Sequence, residues 1–432
     1  MLLGVISWLT VVPMPVAAQP PAAAAPPVAA PNSLPLSATY DVRARIYWAR
    51  HEMLVSSTAT VTNTAAAPVK ALTFNLAALV SGRARVLGAS VGKSRVEVQP
   101  KDQTIVVTLP KPLAPGGTTR VTIRYRGHFN AISDSHQLLL GQVDNVLTAY
   151  RWIPWLSRRE RFAAPNFGET WVTAVSPKVT VTLVSNAPLV YATSGERVAR
   201  HEHSQTFSAT NVRDFNFSAS PDYHIRRLDW DKVPIRIYYL KGSADALMQY
   251  ARSAMQRFST KIGPYAYPSL NIAEAPIGTG MESPALAWLS ATAAPEDLER
   301  LVAHEIAHQW FYAAVGNNQA RQPFADEAVA TFLADDLVGS FHSSLCAAEP
   351  LDLPVYEYGP RCYPEVIYNQ GARYLDRYRT DVGNKAFWAG MSQYYAAYQF
   401  QIGGTRRLLD ALDATSGYDS LRHANRFPSL YP

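Results

Sequence analysis

The apolar residues of this chain change period once, near residue 230, and that change constrains the fold more than any other feature. From about residue 38 to 230 they alternate, as in Thr104-Ile105-Val106-Val107-Thr108-Leu109, the turn Pro115-Gly116-Gly117 and then Arg120-Val121-Thr122-Ile123-Arg124-Tyr125. Val179-Thr180-Val181-Thr182-Leu183-Val184 repeats the pattern before Asn186. β-Branched residues at period two, broken by Gly, Pro and Asn, predict an antiparallel β-domain. A further strand over residues 235–240 leads into the second half. There Ser243 is placed to cap a helix with Leu247, Tyr250, Ala254, Met255 and Phe258 on one face, stopped by Gly263-Pro264. A short strand over residues 270–273 comes next. Pro295 with Glu296 and Asp297 then opens a helix expected to reach about Val315, before Gly316. Further helices are expected around residues 323–338, 364–379 and 384–398. The expected class is α+β: a signal and linker (1–18 and 19–36), an antiparallel β-domain over 37–230 and a mainly helical domain over 231–432.

A chain of 432 residues exceeds one ordinary core, in keeping with two domains. With 48% hydrophobic and 17% charged residues it is composed to pack. Its net charge of +6 is scattered, without basic runs or a basic helix carrying aromatics, so a nucleic-acid partner is not expected. The first charged residue is Asp41. The apolar stretch from Met1 to Val12, followed by Val16-Ala17-Ala18, reads as a secretion signal cleaved after Ala18, with the Pro/Ala tract behind it as a tether. Pro13 and Pro15 argue against a stable membrane span. Export, periplasmic or secreted, is therefore expected, and in an oxidising compartment Cys346 and Cys362 are expected to pair.

The chemistry concentrates in His304-Glu305-Ile306-Ala307-His308. Histidines four apart on a helix share a face and can hold one ion, and the glutamate beside the first reaches a water on it. Neutral imidazole suits zinc, and three protein ligands leave a coordination position open. Glu327, in Phe324-Ala325-Asp326-Glu327-Ala328-Val329-Ala330-Thr331-Phe332, offers the third ligand, although, taken alone, Asp326 and Glu327 are more simply read as the acidic start of a surface helix. His201-Glu202-His203 is a rival cluster, more simply read as a solvated turn.

His304-Glu305-Ile306-Ala307-His308-Gln309-Trp310, with Glu327 after eighteen intervening residues, resembles the gluzincin zinc aminopeptidases related to aminopeptidase N and leukotriene hydrolase. Gly278-Thr279-Gly280-Met281-Glu282-Ser283-Pro284 is similar to that family's Gly-x-Met-Glu-Asn motif, and Tyr368-Asn369-Gln370-Gly371 to its Tyr-x-x-Gly segment, with Tyr363 five residues earlier. Ser283 stands at the motif's Asn, Thr279 at its first Gly and Gln370 at a frequent Lys; Phe324-Ala325-Asp326 replaces Trp-Leu-Asn.

The resemblance implies a thermolysin-like catalytic domain in a short, bacterial-type member without the carboxy-terminal helical domain. It implies one zinc held by His304, His308 and Glu327, with Glu305 as base and Tyr368 stabilising the oxyanion. Gly280 and Met281 would pair with a peptide substrate and Glu282 would hold its free amino terminus. Gln137, Gln142 and Glu169 are unranked candidates to assist Glu282. A zinc aminopeptidase is the expectation. The alternatives are a zinc endopeptidase or other hydrolase on the same fold, or a non-catalytic binding relative. The oligomeric state is not legible.

Overall fold

The computed structural model describes residues 35–81, 83–130, 139–157, 173–241, 244–359 and 361–431. The expected signal, nearly all of the tether, Ser243, Gln137 and Glu169 lie outside the described residues.

The first half is β-rich, and its largest sheet has eight strands. Their spatial order is Glu196–His201, Ser204–Ala209, Val179–Ser185, Leu36–Tyr47, Glu52–Asn63, Thr118–His128, Arg85–Val91 and Ser94–Val96. Alternation points Val42, Ala44, Ile46, Val121, Ile123, Val181 and Leu183 inward and leaves Arg43, Arg45 and Arg124 in water. Two smaller sheets complete the unit. One joins Trp155–Leu156, Val69–Asn75 and Thr104–Leu113; the other joins Val190–Thr193, Phe217–Ser220, Val146–Ala149 and Leu140–Val143. Phe74, Trp152, Trp155 and Phe217 fill the shared core.

The large sheet is not wholly antiparallel. Leu36–Tyr47 runs parallel to Val179–Ser185, pairing Val42 with Val181. The long stretch of chain between these strands permits the crossover that parallel neighbours need. Period-two alternation reports which face is buried and is silent on strand direction.

The second half combines a mixed five-stranded sheet with helices. The sheet order is His224–Trp230, Val233–Tyr239, Leu270–Ala275, Leu286–Ser290 and Gly280–Ser283, so Gly280–Ser283 lies at an edge. The first two strands form a hairpin across the expected junction at residues 230 and 231. Helices Ala244–Lys261, Leu298–Ala307, Glu327–Val338, Gly371–Val382, Asn384–Tyr398 and Thr405–Ser416 enclose a core containing Phe258, Trp310, Phe332, Leu333 and Tyr394. None of the described helices is long and apolar enough to cross a membrane.

Two expected helices come out differently. The one expected from Pro295 to Val315 spans only Leu298–Ala307. Pro295 sits in the preceding turn, and Asp297 is the N-cap. Beyond His308 the chain leaves the helix through wide turns, with Tyr312 at φ 135°. Arg213 of the first half holds the departing segment: Nε donates to the Ala313 carbonyl at 3.0 Å and Nη2 to that of Ala314 at 3.2 Å. A buried guanidinium so placed satisfies carbonyls that this non-helical segment would otherwise bury unpaired. The helix expected over 364–379 is a π-helical turn, Glu365–Gln370, followed by an α-helix, Gly371–Val382. Cys346 and Cys362 form a disulfide.

Candidate active site

Two helices carry the candidate metal ligands. His304 lies in the last turn of Leu298–Ala307, and His308 caps that helix. Glu327 is the first residue of Glu327–Val338, where the helix dipole favours a carboxylate. Arg300 Nε donates to Asp335 Oδ1 at 2.5 Å and ties the two helices together. His304 Nε2 and His308 Nε2 are 3.1 Å apart, and each approaches Glu327 Oε2, at 3.2 and 3.5 Å. Ligands on a tetrahedral zinc at about 2.05 Å stand about 3.3 Å from one another, so this spacing already matches one shared ion. Among the described residues no other His, Cys, Asp and Glu group has this geometry. The rival His201-Glu202-His203 lies at a strand end, where His203 and Glu202 pair at 3.5 Å in an exposed turn.

The outer nitrogens of the histidines are also held. Asp326 Oδ1 lies 2.9 Å from His308 Nδ1, and Thr331 Oγ1 lies 3.4 Å from His304 Nδ1. Such partners orient imidazole ligands and raise their basicity. Sequence reasoning placed no role on Asp326; an acid beside a candidate ligand was its only signal, and that signal equally describes a helix start.

Glu305 is buried beside the triad, and its Oε2 has no hydrogen-bond partner. Burial pushes its carboxyl well above the usual range; His308 opposes the rise, while Glu282, Glu327 and Asp326 add to it. Glu282 is pushed up to about 7, first by burial. Glu327 is buried too, but His308 and His304 hold it well below the usual range. His308 is raised despite burial by Glu327 and Asp326, whereas burial lowers His304. Two imidazoles thus share a dry space with Glu282, Glu305, Asp326 and Glu327. A divalent cation answers that concentration of acid.

The remaining predicted residues converge on the same place. Gly280, Met281 and Glu282 lie on the edge strand Gly280–Ser283, with Gly280 against Glu305. Met281 buries its side chain beside Trp288 and Ile277. Ser283, at the family's Asn position, accepts from Asn216 Nδ2 at 2.7 Å through Oγ and from Gln309 Nε2 at 2.9 Å through its carbonyl. Gln309 Oε1 in turn accepts from the Ala285 amide at 2.8 Å, which ties the edge strand to the turn after the histidine helix. Tyr368 sits in the π-helical turn with its ring stacked on His304, 5.8 Å between centroids, and Tyr363 packs edge-on against it. Gln370, at the frequent Lys position, donates to Ser344 Oγ and to the Cys346 and Ala347 carbonyls, binding the π-turn to the disulfide loop.

Of the candidates to assist Glu282, Gln142 is committed elsewhere, donating to the Trp48 carbonyl at 3.2 Å. The structure instead supplies Gln319, whose Nε2 donates to Glu282 Oε1 at 3.2 Å. Nothing in the local sequence distinguishes it.

No family model matches the chain. Human endoplasmic reticulum aminopeptidase 1 is 20% identical over 375 residues, which cover 76% of this chain and 40% of the relative. Aminopeptidase 2 of Candida albicans is 22% identical over 399 residues, covering 81% and 42%. The chain thus spans about two fifths of the length of these curated relatives. Among solved structures, an M1 zinc metallopeptidase from Deinococcus radiodurans superposes with a TM-score of 0.68 at 20% identity, over 93% of this chain and 94% of that one. A mutant of that enzyme bound to a Tyr-Ser-Ala substrate superposes with a TM-score of 0.67 at 20% identity, over 90% and 94%. At these identities the likeness is one of fold, and the fold is that of the M1 zinc metallopeptidases.

Proposed function

We propose that the chain is a zinc-dependent aminopeptidase, its second half a thermolysin-like catalytic domain that releases amino-terminal residues from peptides. His304, His308 and Glu327 hold one zinc ion. A bound zinc would supply Lewis acidity, bringing the pKa of a coordinated water to about 7. Glu305, buried and with one oxygen uncommitted, takes the proton from the attacking water. The Tyr368 hydroxyl donates to the oxygen that gains charge in the transition state. The edge strand Gly280–Ser283, with no further strand beside it among the described residues, receives the peptide backbone as an added strand.

The observation that carries the exopeptidase reading is the position of Glu282. Its carboxylate is buried on that edge strand, close enough to the metal ligands for Glu327 and His308 to act on its charge. A buried acid there pairs with a peptide's ammonium and fixes the scissile bond one residue away. The disulfide supports the further reading that the chain is exported.

The test compares one short peptide in free and N-acetylated forms, with Glu282→Ala beside the wild type. Acetylation should cost the wild type about a hundredfold or more in kcat/KM, the worth of a dry charged contact, and cost the variant little. Equal rates on both forms in the wild type would make this an endopeptidase.

A further inference from the structure

Gln319 sits in the loop between the two ligand-bearing helices, only 3% exposed, with both ends of its amide committed. Nε2 donates to Glu282 Oε1 at 3.2 Å, and Oε1 accepts from Arg151 Nη2 at 2.8 Å. Arg151 belongs to the β-rich first half and is 5% exposed. The same Nη2 donates to the Tyr312 hydroxyl at 3.1 Å, and Nε lies 3.9 Å from Asp214 Oδ2. The Tyr312 hydroxyl donates to that oxygen of Asp214. A guanidinium only donates, so it must face the amide oxygen of Gln319. The amide nitrogen is thereby forced toward Glu282, and the glutamine cannot flip without placing donor against donor and acceptor against acceptor.

We infer that Gln319 is the positioning residue for the amine anchor, setting the Glu282 carboxylate in place through a relay that begins at Arg151. The inference rests on the aminopeptidase reading for its ligand, the α-ammonium of a peptide. Three features give it force. Gln319 lies on the segment joining His308 to Glu327, so the metal centre and the anchor are held by one piece of chain. An exopeptidase needs that separation fixed, since displacement by about 1 Å costs on the order of a hundredfold in rate. The relay also crosses between the two halves, so the β-rich unit participates in substrate recognition. Finally, Asp214 is the counter-ion of Arg151. With that charge answered from behind, Arg151 braces the amide without cancelling the negative charge that Glu282 offers.

The experiment measures kcat and KM for a free dipeptide amide and the inhibition constants of a free and an N-acetylated dipeptide. Wild type is compared with Gln319→Met, which keeps length and removes the amide's hydrogen bonds to Glu282 and Arg151 and its contact with Asp326, the last being why zinc content is measured alongside. The preference of the wild type for the free amine tests the aminopeptidase reading, and the change in that preference tests Gln319. The expected result is a KM raised about tenfold or more, a free-to-acetylated preference reduced by the same factor, and undiminished zinc content. A wild-type preference retained in Gln319→Met, with zinc intact, overturns the inference. If Gln319→Met does not fold, Asp214→Asn decides the matter. That change is isosteric and leaves Arg151 uncompensated behind the anchor, so it should lower the same preference; an unchanged preference there overturns the inference equally.

Discussion

Gly280 lies so close to the carboxylate of Glu305 that a Cβ at residue 280 would stand 2.1 Å from Oε1. The edge strand and the base are thus fitted by the lack of a side chain. Gly280→Ala must push Glu305 away or move the strand. Its kcat should fall about tenfold or more, about 1.4 kcal/mol of barrier, while zinc content stays at wild-type level. Elemental analysis and steady-state kinetics read the two quantities, and an unchanged kcat would show that Glu305 is not the group that matters.

Base and metal should separate by substitution. Glu305→Gln keeps shape and cannot take a proton, so it should retain zinc and lose about 10²–10⁴-fold in kcat. His308→Ala removes a ligand and should lose the metal itself. The paired measurement is zinc per chain and turnover; a metal-loaded His308→Ala would refute the ligand set.

Gly371 plays a packing part that its place in the tyrosine segment conceals. A Cβ there would stand 2.5 Å from the Ala328 Cβ, one residue past Glu327. Gly371→Ala should therefore destabilise the fold by about 1–3 kcal/mol through overpacking. Adding Ala328→Gly should recover part of that loss, since the two sites share one contact. Denaturant midpoints of the four proteins give the coupling, and strict additivity would exclude a shared contact.

Acid should loosen the joint between the halves at Glu196. Burial pushes that carboxyl up, but hydrogen bonds from Arg236 and Ser269 outweigh burial and hold it below its usual value of 4.5. Its pKa is lower folded than unfolded, so its contribution is present above about pH 4.5 and fades as pH falls through the folded value. The pair is partly exposed, so the effect is about 1 kcal/mol or less. The Tm difference between wild type and Glu196→Gln should close as pH falls from about 6 to about 3. A difference independent of pH would mean that the carboxylate charge contributes nothing.

How much the sequence disclosed depends on how far each cause lies along the chain. The pairing of His304 and His308 on one helix was legible because helical spacing is local, and the buried faces of the strands because alternation is local. Glu327, Glu282 and Tyr368 were singled out through motifs, and what the structure adds is that the three gather beside those histidines. The helix Thr405–Ser416 carried a local signal as well, with Leu408, Leu409 and Leu412 between Gly404 and Gly417, outside the stretches expected. By contrast, the path of the chain after the histidine helix is held by Arg213, far away in sequence, which takes the carbonyls of Ala313 and Ala314. Gln319 works only through Arg151 and Glu282, from two other segments. Pairing of Leu36–Tyr47 with Val179–Ser185 is likewise a matter of tertiary path. Asp326 is the intermediate case: its position was plain, and its partner, the outer nitrogen of His308, was not.

The π-helical turn at Glu365–Gln370 turns one hydroxyl's aim into a question of chain length. In an α-helix each residue advances about 100° around the axis, and a π-turn accommodates one residue more than that ladder needs. Removing a single residue here would give the backbone better hydrogen bonding and swing one flank of the helix against the other by about that angle. Tyr368 would then leave the face of His304, or Gly371 would lose its seat on Ala328. A deletion that makes this helix more regular would thus make it unable to hold both residues. Whatever keeps Tyr368 on His304 and Gly371 on Ala328 together must preserve the surplus residue, even where its identity is free to change.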